Sequence, residues 1–587
     1  MVNTLNTDIS ERTATEEYQA VVRSLRRRKG FGFLFMESTP VGGEELITKI
    51  KKDVPQKKVG VLSLENPITN LIERVTAFPN QETLNILFVT GLEKSLVEYI
   101  RPGYGGKGDY YNLDDIPPIL SHLNWQRENF RDRFRHLCFV FILPKYAINY
   151  ILLRAPDFFD WGSGKIQIIT ERNLVKQEAH RLWLDGSIDK YHKWTPQQRL
   201  ERLAEIHTYL EEKLDLEEKF NLYYEQALIL HVNRDYEEEI ASYDHALKIK
   251  PDYHAAWHNR GITLGQLGRY EEAITSFDNA LKIKPDDPNA WHGRGIVLEG
   301  LGRSEEAIAS YDNALKIKPD DHNVWYYRGI LLSNLGRLEE AIASFDNALK
   351  IKPDYHEAWF NRGIALRNLG RLEEAIASFD EALKIKPDYH KVWHNRGIAL
   401  SNLGRFEEVI ASFDEALKIK PDKQEAWNNR GIALGNLGRF EEAIASFDNA
   451  LKIKPDYHEA WFNRGIALRN LGRLEEAIAS YDNALKIKPD KDEAWNNRGY
   501  ALLKMGNYQE AIENIDQSLK INPNSWAYGS KAYAYILLDK IDLAIQNIRS
   551  AIEIAPSRKH AILNDPDFDK IRNDSRFIDL LNKTDSP

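Results

Sequence analysis

The chain reads as two architectures in series: an α/β domain with a parallel sheet over residues 1–170, then an all-α solenoid of stacked helix pairs over 218–556. Two observations predict this. In the first third, short apolar runs alternate with helical patterns, as in a parallel sheet covered on both faces. Further on, prolines recur every 34 residues, at Pro251, Pro285, Pro319, Pro353, Pro387, Pro421, Pro455, Pro489 and Pro523, and tryptophans keep the same step from Trp257 to Trp495. A fixed period of that size marks supersecondary units that bury their apolar faces only by stacking.

Taken in order, Glu16–Lys29 reads as a helix whose basic end, Arg26 to Lys29, complements the helix dipole. Phe31–Glu37 is a buried strand, followed by a loop over Ser38–Gly43 and a helix to about Lys52. Val59–Glu65 and Leu84–Leu92 are further strands, leading into helices from Pro67 and Glu93. A glycine-rich stretch, Arg101–Asp109, precedes a helix over Pro118–Phe134, and His136–Pro144 and Gly164–Ile169 complete the strands. Residues 171–217 are a charged helical linker, where Thr195-Pro196 offers an N-cap and a favoured first position for a helix that docks the sheet domain onto the first repeat.

The succession strand, loop, helix and a second very apolar strand resembles the core of P-loop NTPases, above all the signal-transduction ATPases that carry a repeat sensor. A working phosphate loop reads G-x-x-x-x-G-K-[ST]. The matching stretch here is E-S-T-P-V-G-G-E, with Glu37 for the first glycine, Gly43 for the lysine and Glu44 for the hydroxyl. Thr90 and Gly91 stand where a magnesium-holding aspartate belongs. The expectation is a degenerate nucleotide fold without chemistry, with Thr39, Gly42 and Gly43 as a vestigial nucleotide site acting through backbone amides.

One repeat runs from Glu357 to Asp388, with Trp359 counted as position 4. Trp359, Gly363 and Leu366 form one stripe of its helix A, and Gly363 removes a side chain where the second helix comes close. Leu369-Gly370-Arg371 makes the turn, and Glu373-Glu374 opens helix B. Ala375, Phe379 and Ala382 form helix B's inner stripe, and Pro387 stops it. Arg362 at position 7 and Asp380 at position 25 recur in unit after unit, as an interhelical pair repeated down the stack would. There are ten units. The first is degenerate, with Tyr223, Ala227 and Glu239 in the tryptophan, glycine and alanine places, and the tenth is one residue short. The pattern of Trp359, Gly363, Ala375, Phe379, Ala382 and Pro387 resembles the tetratricopeptide repeat (TPR), which implies a superhelical solenoid with a partner in its concave groove. Residues 557–587 read as short helices that cap the open end.

Positions 2, 6, 9 and 13 lie opposite the tryptophan stripe, and the TPR resemblance makes them the groove. Position 6 is Asn259, Asn361, Asn395, Asn429, Asn463 and Asn497; position 13 is Asn334, Asn368, Asn402, Asn436 and Asn470. Amides that both donate and accept suit an extended peptide backbone, and they equally suit bonding between adjacent helices. Position 5 varies, through His258, Phe360, His394 and Phe462, as a ligand-reading surface or drifting solvent positions would. Residues 353–378 and 455–480 are identical, three repeats apart.

A net charge of −9 over 587 residues gives no global footprint for nucleic acid. Cys138 is the sole cysteine, which excludes an internal disulfide and a cysteine zinc cluster. His254/His258 and His390/His394 are i,i+4 pairs with no third ligand in view. The first thirty residues lack an apolar signal core, and no run approaches the roughly 20 apolar residues of a membrane span. The expectation is therefore a cytoplasmic protein with no cofactor, no metal, no nucleic acid and no membrane partner. It is read as a non-enzymatic scaffold that binds a protein or extended peptide; the alternative is a nucleotide-regulated signalling ATPase with the array as sensor.

Overall fold

The computed structural model describes residues 14–101, 110–111, 115–167, 187–211 and 214–582. The chain divides into two compact units, Met1–Pro319 and Asp320–Pro587. The first therefore holds the sheet, the linker helices and three repeats, and the second holds repeats four to ten with the C-terminal segment.

In the first unit, β1 (Gly32–Glu37), β2 (Val59–Ser63), β3 (Ile86–Thr90), β4 (Cys138–Leu143) and β5 (Gly162–Gln167) form one parallel sheet in the order β2-β3-β4-β1-β5. Both faces are covered, as near-continuous apolar strands require. Phe33, Phe35, Phe139 and Phe141 pack on one side, and Leu34, Met36, Val140 and Ile142 on the other. The chain walks from β2 through β3 to β4 beside β1, then crosses β1 to β5. That reversal places a switch point at the carboxyl end of β1, where ligands of open α/β sheets bind.

Helix α1 is Ala14–Arg27 and α2 is Pro40–Asp53. The stretch expected as a loop up to Gly43 is thus already the first turn of a helix, because Thr39 caps it by accepting from the Gly42 amide at 3.2 Å. After β2, the short α3 (Leu71–Thr76) starts behind an Asn70 cap rather than at Pro67. In place of a helix from Glu93, β3 is followed by 3₁₀ turns at Leu92–Ser95 and Val97–Tyr99 and a short antiparallel pairing of Ile100–Arg101 with Tyr110–Tyr111. Then come α4 (Pro118–Arg133), α5 (Lys145–Arg154) and α6 (Pro156–Asp160). The glycine-rich stretch 102–109 and residues 168–186 lie outside the described residues.

The linker supplies α7 (Ile188–Lys193) and α8 (Pro196–Leu210), the latter opened by a capping box between Thr195 and Gln198. Helix α8 packs both ways. Its Leu200 and Ala204 join the sheet core, while Leu203, Ile206 and Tyr209 pack on Leu222, Ile229 and Leu230 of the first repeat. At that joint the fully buried Glu225 accepts from the Tyr191 hydroxyl (2.6 Å) and the Arg202 Nε (2.9 Å).

Each repeat is a pair of antiparallel helices, for example His356–Asn368 (A) and Leu372–Ile385 (B) in unit 5. Helix A closes with Gly370 at φ +84°, and the Arg371 amide returns to the Leu366 carbonyl. This left-handed C-terminal turn is one that glycine makes without strain. Gly363 meets helix B as expected: a Cβ there would stand 2.5 Å from Phe379 Cε1. The tryptophan stripe is different from the expectation. Ala358, Gly363, Ala365 and Leu366 are buried, whereas Trp359 is only half-buried. Its indole N–H donates to the Pro353 carbonyl at 2.9 Å, and the Arg362 guanidinium covers its ring. A large side chain with an N–H to satisfy sits at the edge, and the small alanine takes the core position.

At the C-terminal end, Phe568, Ile571 and Phe577 close over Ala532, Ile536, Ile545 and Ile548 of unit 10. The capping segment includes an unforeseen 3₁₀ helix, Pro566–Ile571. No helix among the described residues is long and apolar enough to cross a membrane.

Candidate functional site

The repeated face of helix A carries most of the residues singled out from the sequence. Position-13 asparagines Asn334, Asn368, Asn402, Asn436 and Asn470 are exposed, and those at position 6, Asn259, Asn361, Asn395, Asn429, Asn463 and Asn497, are half-buried. The position-6 amides are largely engaged between neighbouring units. Asn259 Nδ2 donates to Tyr224 Oη (3.2 Å), Asn361 to Tyr326 Oη (3.0 Å) and Asn463 to Asn428 Oδ1 (3.1 Å). Asn395 and Asn497 accept from Arg367 and Arg469 of the preceding unit. The row is thus a stitched ladder, with the exposed position-13 amides and the half-exposed Ile262, Ile296 and Ile432 beside it.

Position-5 side chains are wedges under this face. Phe360 and Phe462 pack on Phe379 and Tyr481, and His258 and His394 on Phe277 and Phe413. Burial lowers the pKa of both histidines, favouring neutral rings. No group of three or more acidic, histidine or cysteine side chains among the described residues is placed to hold a metal ion.

Arginine at position 7 joins consecutive units. Arg362 Nε donates to Asp346 of unit 4 at 2.6 Å, and its Nη1 to Ser378 of its own helix B. The same link runs from Arg260 to Asp244, Arg294 to Asp278, Arg396 to Asp380, Arg430 to Asp414, Arg464 to Asp448 and Arg498 to Asp482, at 2.6–2.7 Å. The aspartate therefore belongs to the preceding unit, a relation that identical repeats hide in sequence.

In the second compact unit, a cavity of about 1210 Å³ opens beside the A helices of units 8 to 10, with Phe462, Asn470, Asn497 and the exposed Trp526 in its lining. The capping segment reaches into it. Asp567 accepts from Tyr500 Oη and Lys504 Nζ, both at 2.9 Å, and these occupy positions 9 and 13 of unit 9. Nothing in the repeat pattern signals this contact, because Asp567 lies beyond the last repeat.

The expected vestigial nucleotide residues have other work. Thr39, Gly42 and Gly43 are buried, Gly42 N is taken by the Thr39 cap, and Gly43 N bonds the Thr39 carbonyl. A Cβ on Gly43 would stand 2.7 Å from Ile142 Cγ2, so this glycine lets α2 lie close on β4.

Comparison with protein families matches the Tetratricopeptide repeat at residues 326–390, 394–458 and 429–492, at 492–525, at 242–275, and at 220–253 and 527–558. The TPR repeat also matches at 264–302 and 300–336. The chain belongs to the tetratricopeptide-repeat family. No curated protein matches this TPR chain. Among solved structures it is similar to YrrB, described as a TPR protein with an unusual peptide-binding site, at 24% identity over 31% of this chain and 95% of that one (TM-score 0.30). It is also similar to MamA from Desulfovibrio magneticus RS-1, at 20% identity over 28% and 94% of the two chains (TM-score 0.28). A tetratricopeptide repeat protein from Parabacteroides merdae ATCC 43184 matches at 20% over 41% and 95% (TM-score 0.35).

Proposed function

We propose that this TPR protein is a non-catalytic scaffold that holds an extended peptide segment of a partner protein along the helix A faces of units 5 to 9. The observation that carries this reading is Asp567: a non-repeat segment already lies against that face, held by Tyr500 and Lys504 at groove positions, with open cavity beside it. The identical stretches 353–378 and 455–480 then offer two equivalent subsites, with Asn361/Asn368 and Asn463/Asn470 as matching pairs. One chain spanning both gains affinity through effective concentration.

The test is affinity capture by the full chain. Asn361→Ala with Asn368→Ala should reduce partner retention, and adding Asn463→Ala with Asn470→Ala should reduce it further. Because Asn361 also bonds Tyr326, thermal unfolding of each variant checks the fold. Undiminished capture by the quadruple variant removes the partner from this face. The same reading gives the sheet domain no phosphoryl-transfer step, since the phosphate-loop lysine and hydroxyl places hold Gly43 and Glu44. Magnesium-dependent ATP or GTP turnover that falls on Glu44→Ala would overturn that part.

A further inference from the structure

The carboxyl ends of β1 to β4 face a recess of about 240 Å³ at the switch point, closed on one side by α8. Its charge is unusual for a crevice at the N-termini of helices. Glu44 enters from α2, Glu93 from the turn after β3, and Glu201 and Glu205 from one face of α8, together with Thr208 one turn on. The cation in the lining is Lys94, whose ammonium donates to the Glu65 carbonyl at 3.2 Å. Glu205 pairs with Arg202 at 3.1 Å, and Glu201 accepts from Gln197.

Two oxygens in this recess have no hydrogen-bond partner among the described residues, although the Glu93 carboxylate also meets its own backbone amide and the Lys94 charge. Glu93 Oε2 is buried and accepts no hydrogen bond. Tyr146 lines the recess, is 6% exposed, and its hydroxyl makes no hydrogen bond. Burial pushes the Glu93 carboxyl up to about 7, with Glu205 and Glu201 adding to the shift. Burial, then Glu93, Glu205 and Glu201, likewise raise the Tyr146 phenol, and all four groups line the recess. An unsatisfied buried acceptor such as Glu93 Oε2 is costly in an empty site and is relieved by a ligand that donates. The acids repel a phosphate, and the described residues include no group placed to chelate a metal ion. What remains is a donor-rich cation of modest size.

We propose that this recess binds a small organic cation, a primary ammonium or a guanidinium, with Glu201, and Glu93 giving up its proton as the cation enters, supplying the negative charge and Tyr146 Oη an acceptor. The site is separate from the helix A faces and stands whether or not those bind a peptide.

Calorimetric titration of the full chain with agmatine and with 1,4-diaminobutane tests it, with 1,4-butanediol and Mg-ATP as controls. At least one amine should saturate and the diol should not. Glu93→Gln and Tyr146→Phe should each weaken that binding roughly tenfold, the size expected for losing a hydrogen bond to a charged partner. Thermal unfolding verifies that the variants fold; should Glu93→Gln not fold, Tyr146→Phe, which keeps its packed ring, decides alone. The proposal is overturned if neither amine saturates, if saturation is unchanged in the variants, or if Mg-ATP binds the recess instead.

Discussion

Replacing glycine by alanine should move the stability of two A helices in opposite directions. At Gly363 the new Cβ would lie 2.5, 2.7 and 3.0 Å from Phe379 Cε1, Cδ1 and Cζ, and that ring is fully buried, with no room to swing away. Overpacking of this kind costs about 1–3 kcal/mol, against which alanine returns about 1 kcal/mol of helix propensity. The net effect is a loss of up to about 2 kcal/mol. Gly435, at position 12 of unit 7, has nothing within 4 Å of its Cβ position. There only the propensity term operates, and Gly435→Ala should gain up to about 1 kcal/mol. Because repeat arrays unfold locally, the readout is amide hydrogen exchange resolved by unit. Gly363→Ala should speed exchange in units 4 to 6, and Gly435→Ala should slow it in unit 7. Shifts of the same sign at both sites, or loosening spread evenly along the array, would refute the packing argument.

In units 2 to 9 glycine makes the left-handed turn after helix A, but unit 1 uses Arg234 at φ +66°. Arg234→Gly should therefore stabilise unit 1 by about 1 kcal/mol, seen as slower exchange there. Asp380→Ala takes the charged partner from the Nε of Arg396, whose side chain is 16% exposed and keeps its bond to Ser412, and should weaken the joint between units 5 and 6 by about 1–3 kcal/mol; unchanged exchange at that joint would contradict the link. The hydrogen bond to buried Glu239 (3.1 Å) raises the His231 pKa above its usual 6.5. A raised pKa means stability present below the unfolded value and lost as pH climbs through the folded one. Unit 1 should accordingly loosen as pH rises beyond about 6.5, and His231→Asn should flatten that dependence in thermal melts.

The period of 34 made the array legible because every unit repeats the same solution, so each of its features appears many times over. The parallel sheet was legible for a similar reason: strands buried on both faces are apolar throughout. What escaped were relations between units. Trp359 looked like core because its spacing matched Gly363 and Leu366, yet the smaller Ala358 fills the core position and the indole stays at the edge to reach Pro353. Arg362 could have met Asp346 or Asp380, since spacing alone does not separate neighbours from their copies. The phosphate-loop likeness rested on residue order, and order does not reveal that Pro40 already begins a helix or that Gly43 is spent on Ile142. The recess of Glu93, Tyr146, Glu201 and Glu205 draws on segments far apart in the chain.

The links from arginine to the preceding aspartate have a consequence for heredity. An interior unit brings the guanidinium for the joint behind it and the carboxylate for the joint ahead, so any block of 34 codons can be gained or lost with both new joints chemically complete. Whole-unit exchange within such a gene would meet little resistance from folding, and the identical stretches 353–378 and 455–480, three units apart, are the pattern it would leave. Array length thus becomes a trait that populations can vary in whole steps. The ends differ: Gln226 stands in the arginine place of unit 1, where no unit precedes, and in unit 10 Lys531 makes the link to Asp516 at 2.7 Å in arginine's stead.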